Sequence, residues 1–419
     1  MTAPAAGPYE EQKEPTGTFP PTFYYANAIE LFERLAFYGF YIGLVLYLTN
    51  VVGFADVEAG ILIGNFRFIG AMAPIFCGAV ADKITFKRSL IIAFVGYAAA
   101  YGSLLAFPTK SAAYTSLMVA AVSGGFMKPV ITATVIRTSP PGMQTKGFSI
   151  FYRMINSGSV IGKSLAYLVR RTVALRFVTT TSVIASLIAL GIAVFAYKEP
   201  ADLDAKTEKA PLGDVLKGYG GALSQPKIVC FLLIFSGFYF MSEQFYMTFP
   251  TYVTRHIDKK APLEIITLVN PALIAIGQLR VSKLMKRVPP ILAMTIGVLI
   301  ASSSMLVMGA IPTLVGACLS GAIYAVAEMT FSPRFYEYLG AFAPKGKAGL
   351  YMGLAFIPFA IGGWSGGQAS GRLIARYLPV SGPHAPFTIW SIYAGLGLAC
   401  ATLMLIYGTV TKQLRAERL

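Results

Sequence analysis

Residues 289–310 read PPILAMTIGVLIASSSMLVMGA, a stretch of 22 residues without a single charged side chain. About 20 apolar residues in a helix cross the roughly 30 Å hydrocarbon layer of a bilayer. Working outward from this stretch, eleven further apolar runs of similar length recur. With it, the candidate spans are approximately 22–50, 57–81, 88–107, 112–136, 146–169, 176–197, 227–253, 262–285, 289–310, 313–341, 348–377 and 385–410. The runs are continuous and do not alternate with period two, which favours helices over a barrel. Those two are the only structures that satisfy their own backbone in lipid. The fold class expected is therefore an all-α membrane protein with 12 transmembrane helices.

Composition agrees. The 419 residues are 55% hydrophobic and 13% charged, against about 25% charged in a soluble domain, and the mean hydropathy is +0.63. The net charge of +16 does not argue for nucleic acid, because the basic residues cluster in short loops between apolar blocks, as the positive-inside rule requires. Anionic lipid head groups are the partners expected for such loops.

The longest charged interruption, 198–226, begins KEPADLDAKTEKA and separates six spans from six. The organisation expected is a disordered cytoplasmic tail (1–20), a six-helix bundle (21–197), a cytoplasmic linker (198–226), a second six-helix bundle (227–411) and a basic tail (412–419). Twelve spans place both termini on one side. Roughly 21 basic residues fall on that side and about 9 on the other, so it is cytoplasmic and the membrane expected is the plasma (inner) membrane. The loop bearing Arg170, Arg171 and Arg176 runs against this trend. A pair of six-helix halves carries a small-molecule site at the interface near the midplane. The unit expected is a monomer.

Chemistry of other kinds finds little support. Cys77, Cys230, Cys318 and Cys400 lie inside apolar runs without metal-ligand spacing, as buried thiols do. His256 and His384 fall near helix ends. No nucleophile–base pair, metal cluster or phosphate loop stands out, so neither an enzyme nor a metal or organic cofactor is expected. Protons are the coupling ion expected.

Among the charges that fall within the spans, the informative ones are Glu30, Glu33, Arg34, Arg67, Lys128, Arg153, Lys163, Glu243 and Glu328. Each costs at least about 2.5–3.5 kcal/mol at a helix centre, so it should face a cavity or a partner. Snorkelling to an interface is the alternative for Arg153 and Lys163. In ELFERLAFYGFY, Glu30, Glu33 and Arg34 share one helical face, which Tyr38 and Tyr41 continue. A carboxylate there can exchange an ion pair for a proton, since desolvation favours the neutral acid and a nearby cation the charged form. In SGGFMKPV, Lys128 precedes Pro129, and Glu33 is its natural partner. Glu243 and Glu328 put negative charge in the second half, opposite Arg34 and Lys128. That polarity suits a zwitterion, and equally a set of gates.

These residues carry a resemblance to the proton-dependent oligopeptide transporters of the major facilitator superfamily. Span 1 is similar to that family's E-x-x-E-R-[FL]-x-x-Y-G pattern through Glu30, Glu33, Arg34, Tyr38 and Gly39. FYRMINSGSVIG in span 5 resembles F-Y-x-x-I-N-x-G-S (Phe151, Tyr152, Ile155, Asn156, Gly158, Ser159). Span 4 resembles G-G-x-x-K-P. Further matches are the pairs Glu243–Gln244 and Asn270–Pro271 and the E-x-x-x-S-P element at Glu328, Ser332 and Pro333. GAVADKITFKR (78–88) resembles the superfamily's loop between spans 2 and 3, with Thr85 and Phe86 in place of the usual Gly-Arg. The resemblance implies proton coupling by Glu30, Glu33, Arg34, Lys128 and Glu328. It implies that Tyr152, Asn156 and Asn270 line the substrate pocket and that Glu328 receives an amino group; Tyr38, Tyr41, Arg67, Glu243, Gln244 and Ser332 complete the expected substrate-binding set. It also implies a gating role for Asp82.

The departures fall among substrate contacts. Tyr41 stands where peptide transporters usually have a carboxylate-binding arginine, Ala71 where a tyrosine is expected, and Ala355 where span 11 usually has tryptophan. The 198–226 linker is too short for the two extra helices of many bacterial members. The function expected is a proton-coupled symporter that uses alternating access to move a small peptide or related zwitterionic or anionic solute, with Arg67 in place of the missing cation. The alternative on the same scaffold is a proton-driven exporter of drugs or metabolites.

Overall fold

The computed structural model describes residues 17–140, 143–200, 212–344 and 348–413, and every regular element among them is a helix. The helices follow the apolar runs closely. They are α1 (Pro21–Tyr41, continued after a 53° bend by Leu44–Val52), α2 (Asp56–Ile84), α3 (Phe86–Ala106), α4 (Lys110–Thr138), α5 (Gln144–Thr172) and α6 (Leu175–Ala196). After a linker helix, Leu212–Leu223, come α7 (Pro226–Met247, prolonged by Phe249–Tyr252), α8 (Leu263–Met285), α9 (Pro290–Ala310), α10 (Leu314–Ala341), α11 (Ala348–Gly353 and Phe356–Tyr377) and α12 (Pro386–Val410). The expected tails lie outside the described residues over 1–16 and 414–419, as does the linker over 201–211.

Nine of these helices are long and apolar enough to cross a membrane on their own, and the bent α1 makes a tenth. That is fewer than the twelve expected from the sequence, and the reason is polarity. The 29 residues of α5 include Lys146, Arg153, Lys163, Arg170 and Arg171, and α11 carries Arg372 and Arg376. A helix can hold such residues in a membrane when protein or a water-lined cleft covers its polar face.

Helices α1–α6 pack among themselves, as do α7–α12. The two bundles meet most closely where α2 crosses α11. A Cβ on Gly60 would lie 2.5 Å from the Gly367 carbonyl oxygen and 2.9 Å from the Gly371 nitrogen, and one on Gly371 would lie 2.7 Å from the Val57 Cα. Only hydrogen fits there, so the glycines permit backbone-to-backbone contact between the halves. The start of α8 packs on α5 across the same seam. These contacts gather at the end of the molecule that holds the α1–α2, α5–α6 and α7–α8 turns, called here the closed end. Toward the opposite end the halves part: Tyr152 on α5 is 60% exposed and Tyr336 on α10 is 47% exposed.

The turn between α2 and α3 is strained. Thr85 has φ 89° and ψ 150°, a region essentially reserved for glycine. Its hydroxyl accepts from the Arg88 backbone N–H at 3.4 Å and caps α3. Glu199, beyond α6, accepts from the Lys87 N–H at 2.7 Å and adds a carboxylate to the same helix N-terminus, where the helix dipole favours it.

Candidate functional site

The α1 periodicity places Glu30, Glu33 and Arg34 together, and all three are buried. The Arg34 Nε lies 3.2 Å from Glu30 Oε1 and also bonds Glu33. The Tyr97 hydroxyl on α3 donates to Glu33 Oε1 at 3.1 Å. Two carboxylates thus share one guanidinium, whose face stands over the Phe37 and Tyr38 rings at 5.4 and 5.8 Å. A cavity of about 50 Å³, room for a few water molecules, is lined by Glu33, Arg67, Tyr97, Lys128, Phe37 and Phe359. Lys128 faces this cavity but makes no ion pair within 4.0 Å among the described residues, so the expected Lys128–Glu33 bridge is absent. Arg34 and Tyr97 already occupy Glu33.

A second group joins the two halves. Arg67 on α2 forms an ion pair with Glu243 at the end of α7, and the Tyr41 hydroxyl donates to Glu243 Oε2 at 3.0 Å. The guanidinium lies over the rings of Tyr41 and Phe359 at 5.0 and 4.0 Å. Stacking of this kind suits the flat, weakly hydrated arginine head. Its Nε has no hydrogen-bond partner among the described residues. In the second half, the Asn270 amide donates to Glu328 Oε2 at 3.1 Å.

Lys163 on α5 does not snorkel. It is 2% exposed, its Nζ meets the Thr267 carbonyl at 3.5 Å, and it stands 5.6 and 5.8 Å from the ring centroids of Tyr38 and Tyr246. Two turns further along the same face of α5, Arg170 grips Glu264 through two bonds of 2.6 and 2.8 Å and the Ala261 carbonyl at 2.7 Å. Arg170 therefore runs against the loop-charge trend because it ties the halves together. Arg255, just past α7, holds Asp56 at the start of α2 through bonds of 2.7 and 2.8 Å and reaches the Leu378 carbonyl at 3.1 Å. These two bidentate pairs bolt the closed end.

Other expected site residues are placed differently. Gln244 is fully buried and turned inside the second half: its amide donates to the Phe240 carbonyl and its oxygen accepts from Thr248, which meets Tyr393. Both of its bonds are thus made within the second half. Asn156 is exposed and its amide donates to the Tyr152 carbonyl one turn back. Tyr152 lies at the parted end within electrostatic reach of Tyr336. Ser332 is half-buried beside Pro333. The Asp82 side chain lies outside the described residues. Sequence reasoning assigned no role to Tyr97, Lys163, Asp56–Arg255 or Arg170–Glu264. Each bolt uses charges at the ends of spans, outside the nine singled out as intramembrane.

Comparison with known proteins bears on this arrangement. A family model described as Major Facilitator Superfamily matches residues 28–367. Peptide transporter family 1 of Drosophila melanogaster is 28% identical over an alignment of 176 residues that covers 39% of this chain. The matched part spans 24% of that protein's length. Multidrug resistance protein MdtH of Enterobacter sp. (strain 638) is 24% identical over 347 residues, covering 81% of this chain and 84% of that protein. A solved peptide transporter POT in complex with sulfate superposes with a TM-score of 0.78 at 16% identity, over 96% of this chain and 97% of that one. That last likeness is one of fold.

Proposed function

This chain belongs to the Major Facilitator Superfamily of integral membrane transporters, and from that premise we propose that it is a proton-coupled symporter for a small peptide or a related zwitterionic or anionic solute. The observation that carries the reading is the pair of buried carboxylates, Glu30 and Glu33, sharing the single guanidinium of Arg34 beside a cavity. One carboxylate can accept a proton while the other keeps the arginine, so the group can cycle between charge states without stranding a buried cation. The proton then moves down the membrane potential, worth about 2.3 kcal/mol per 100 mV.

The two bolts and the parted opposite end support alternating access. The closed end faces outward and both termini face the cytoplasm, following the basic loops, in a plasma (inner) membrane where those loops meet anionic lipid. The protein acts as a monomer, with a small solute as its partner and the proton as its coupling ion. Glu30, Glu33, Arg34, Lys128 and Glu328 carry the coupling. Tyr38, Tyr41, Arg67, Glu243, Asn270 and Glu328 surround the solute.

The test is reconstitution into liposomes with an imposed pH gradient, inside alkaline. Dialanine should accumulate under the gradient and not without it. Equal uptake in both conditions would sink the reading. A second reading, proton-driven export of drugs or metabolites, is favoured by one observation: the likeness to the multidrug resistance protein covers 81% of the chain, against 39% for the peptide transporter. Export predicts lower drug accumulation in energised cells that express the protein.

A further inference from the structure

We infer that Lys163 seats the anionic group of the solute, taking the part that an arginine on α1 would otherwise play. The inference rests on the symport reading above and adds a residue to it. Four cations line the region where the halves meet: Arg34, Arg67, Lys128 and Lys163. Arg34 is committed to Glu30 and Glu33, and Arg67 to Glu243, with two aromatic rings covering its faces. Arg67 can reach a solute only after the inter-half ion pair breaks. Lys128 faces the cavity on the side of the first half, beside Glu33 and Tyr97, with Phe356 and Phe359 of α11 across from it. Lys163 touches both halves, as Arg67 does, but is held by no carboxylate among the described residues: Tyr38 belongs to the first half, Tyr246 and the Thr267 carbonyl to the second.

The surroundings of Lys163 leave it under-used. An ammonium offers three donors, and this one, 2% exposed, has a single acceptor among the described residues, at the long distance of 3.5 Å. That acceptor is a carbonyl freed by the break in α8 between Ile266 and Val269. No carboxylate lies within ion-pair distance of the Nζ among the described residues. Glu328 lies within electrostatic reach across the seam and is held by Asn270. A buried cation with two open donors, two tyrosine faces and a carboxylate opposite is the outline of a zwitterion seat. The anionic end would meet Lys163 and the ammonium end Glu328, with the Tyr38 and Tyr246 rings flanking the body. The same position explains why α1 can carry Tyr41, which serves Glu243, where a carboxylate-binding cation would otherwise stand.

The experiment measures binding to the purified full-length protein by thermal shift, together with pH-gradient-driven uptake in liposomes. The probes are dialanine, dialanine with its carboxyl amidated, and dialanine with its amine acetylated. Wild type should bind dialanine and lose roughly tenfold or more in affinity for the amide, as expected for a lost charge-assisted hydrogen bond. Lys163→Met, which keeps the length of the side chain between the two rings, should bind dialanine and the amide alike, both weakly. Lys163→Gln is the second removal should the methionine variant not fold, and Lys163→Arg should restore the preference for the free carboxylate. A Lys163→Met or Lys163→Gln protein that still prefers dialanine to the amide as wild type does overturns the inference and leaves the symport reading intact. A wild type that answers to none of the three probes rejects the peptide reading, and this inference with it.

Discussion

Arg67 in the first half and Glu243 in the second form a buried ion pair, and the Tyr41 hydroxyl adds a third member at 3.0 Å. The two partners are not equivalent when one is removed. A guanidinium left without Glu243 cannot shed its charge, whereas the Tyr41 hydroxyl still answers Glu243 when Arg67 is gone. Breaking such a pair costs about 3–5 kcal/mol when the remaining charge stays buried. Glu243→Gln should therefore destabilise the protein by about that much, and Arg67→Gln by less. The double variant should recover most of the loss. Thermal unfolding of all four proteins, read as a double-mutant cycle, checks this; equal losses in the two single variants would refute it.

Arg170–Glu264 and Arg255–Asp56 hold the closed end by bidentate pairs at 2.6–2.8 Å. If they are bolts, removing them shifts a population and does not unfold a bundle, because each pair lies between halves. Spin labels at Val173 and Val380, both exposed at that end, should report one short distance in the parent protein. Arg170→Ala or Arg255→Ala should add a longer distance, and the double variant should make it dominant. A shift from roughly 1:10 to 10:1 needs about 2.7 kcal/mol of differential stabilisation. The charge-swapped pair Arg170→Glu with Glu264→Arg should return the short distance. A double variant whose distances match the parent would show that the glycine seam alone closes this end.

Much of this was legible in the sequence, and the remainder fails for identifiable reasons. Hydropathy fixes where helices run, because the bilayer imposes one length on all of them. The Glu30–Glu33–Arg34 group is legible because its residues are neighbours on one helix, and Arg67 is flagged by its charge alone. Partners are another matter. Glu33 was paired with Lys128 on grounds of charge, yet Arg34 and Tyr97 reach it first. Lys163 read equally as a snorkelling side chain, since its distance from the membrane surface depends on how α5 sits. Arg170 finds Glu264 94 residues away, a contact that no local pattern encodes. Gln244 follows Glu243 in sequence but points into the second half, because adjacent helical residues face about 100° apart.

Thr85 occupies backbone angles that cost a residue with a Cβ about 1–3 kcal/mol. Thr85→Gly removes that strain and loses a hydroxyl cap, and a glycine at an N-cap position is only a few tenths of a kcal/mol worse. The net effect should be a gain of about 1 kcal/mol or more, seen as a higher unfolding temperature in detergent. Thr85→Ala keeps the strain and loses the cap, so it should be less stable than the parent. The opposite order of the two variants would mean that the cap at 3.4 Å outweighs the backbone.

Glu33 is the carboxylate through which a proton would act, because Arg34 and the Tyr97 hydroxyl both bind its charged form. Glu33→Gln keeps the shape and fixes the group neutral. Dialanine accumulation under a pH gradient should then fall by roughly tenfold or more, the equivalent of about 1.4 kcal/mol of lost drive. Exchange of dialanine across a membrane with equal pH on both sides should persist, since it needs no net proton movement. Tyr97→Phe removes one bond to the charged carboxylate while Arg34 remains. Its accumulation under the gradient should therefore survive. Uptake by Glu33→Gln that still follows the gradient would move the coupling role to Glu30, the other carboxylate on Arg34.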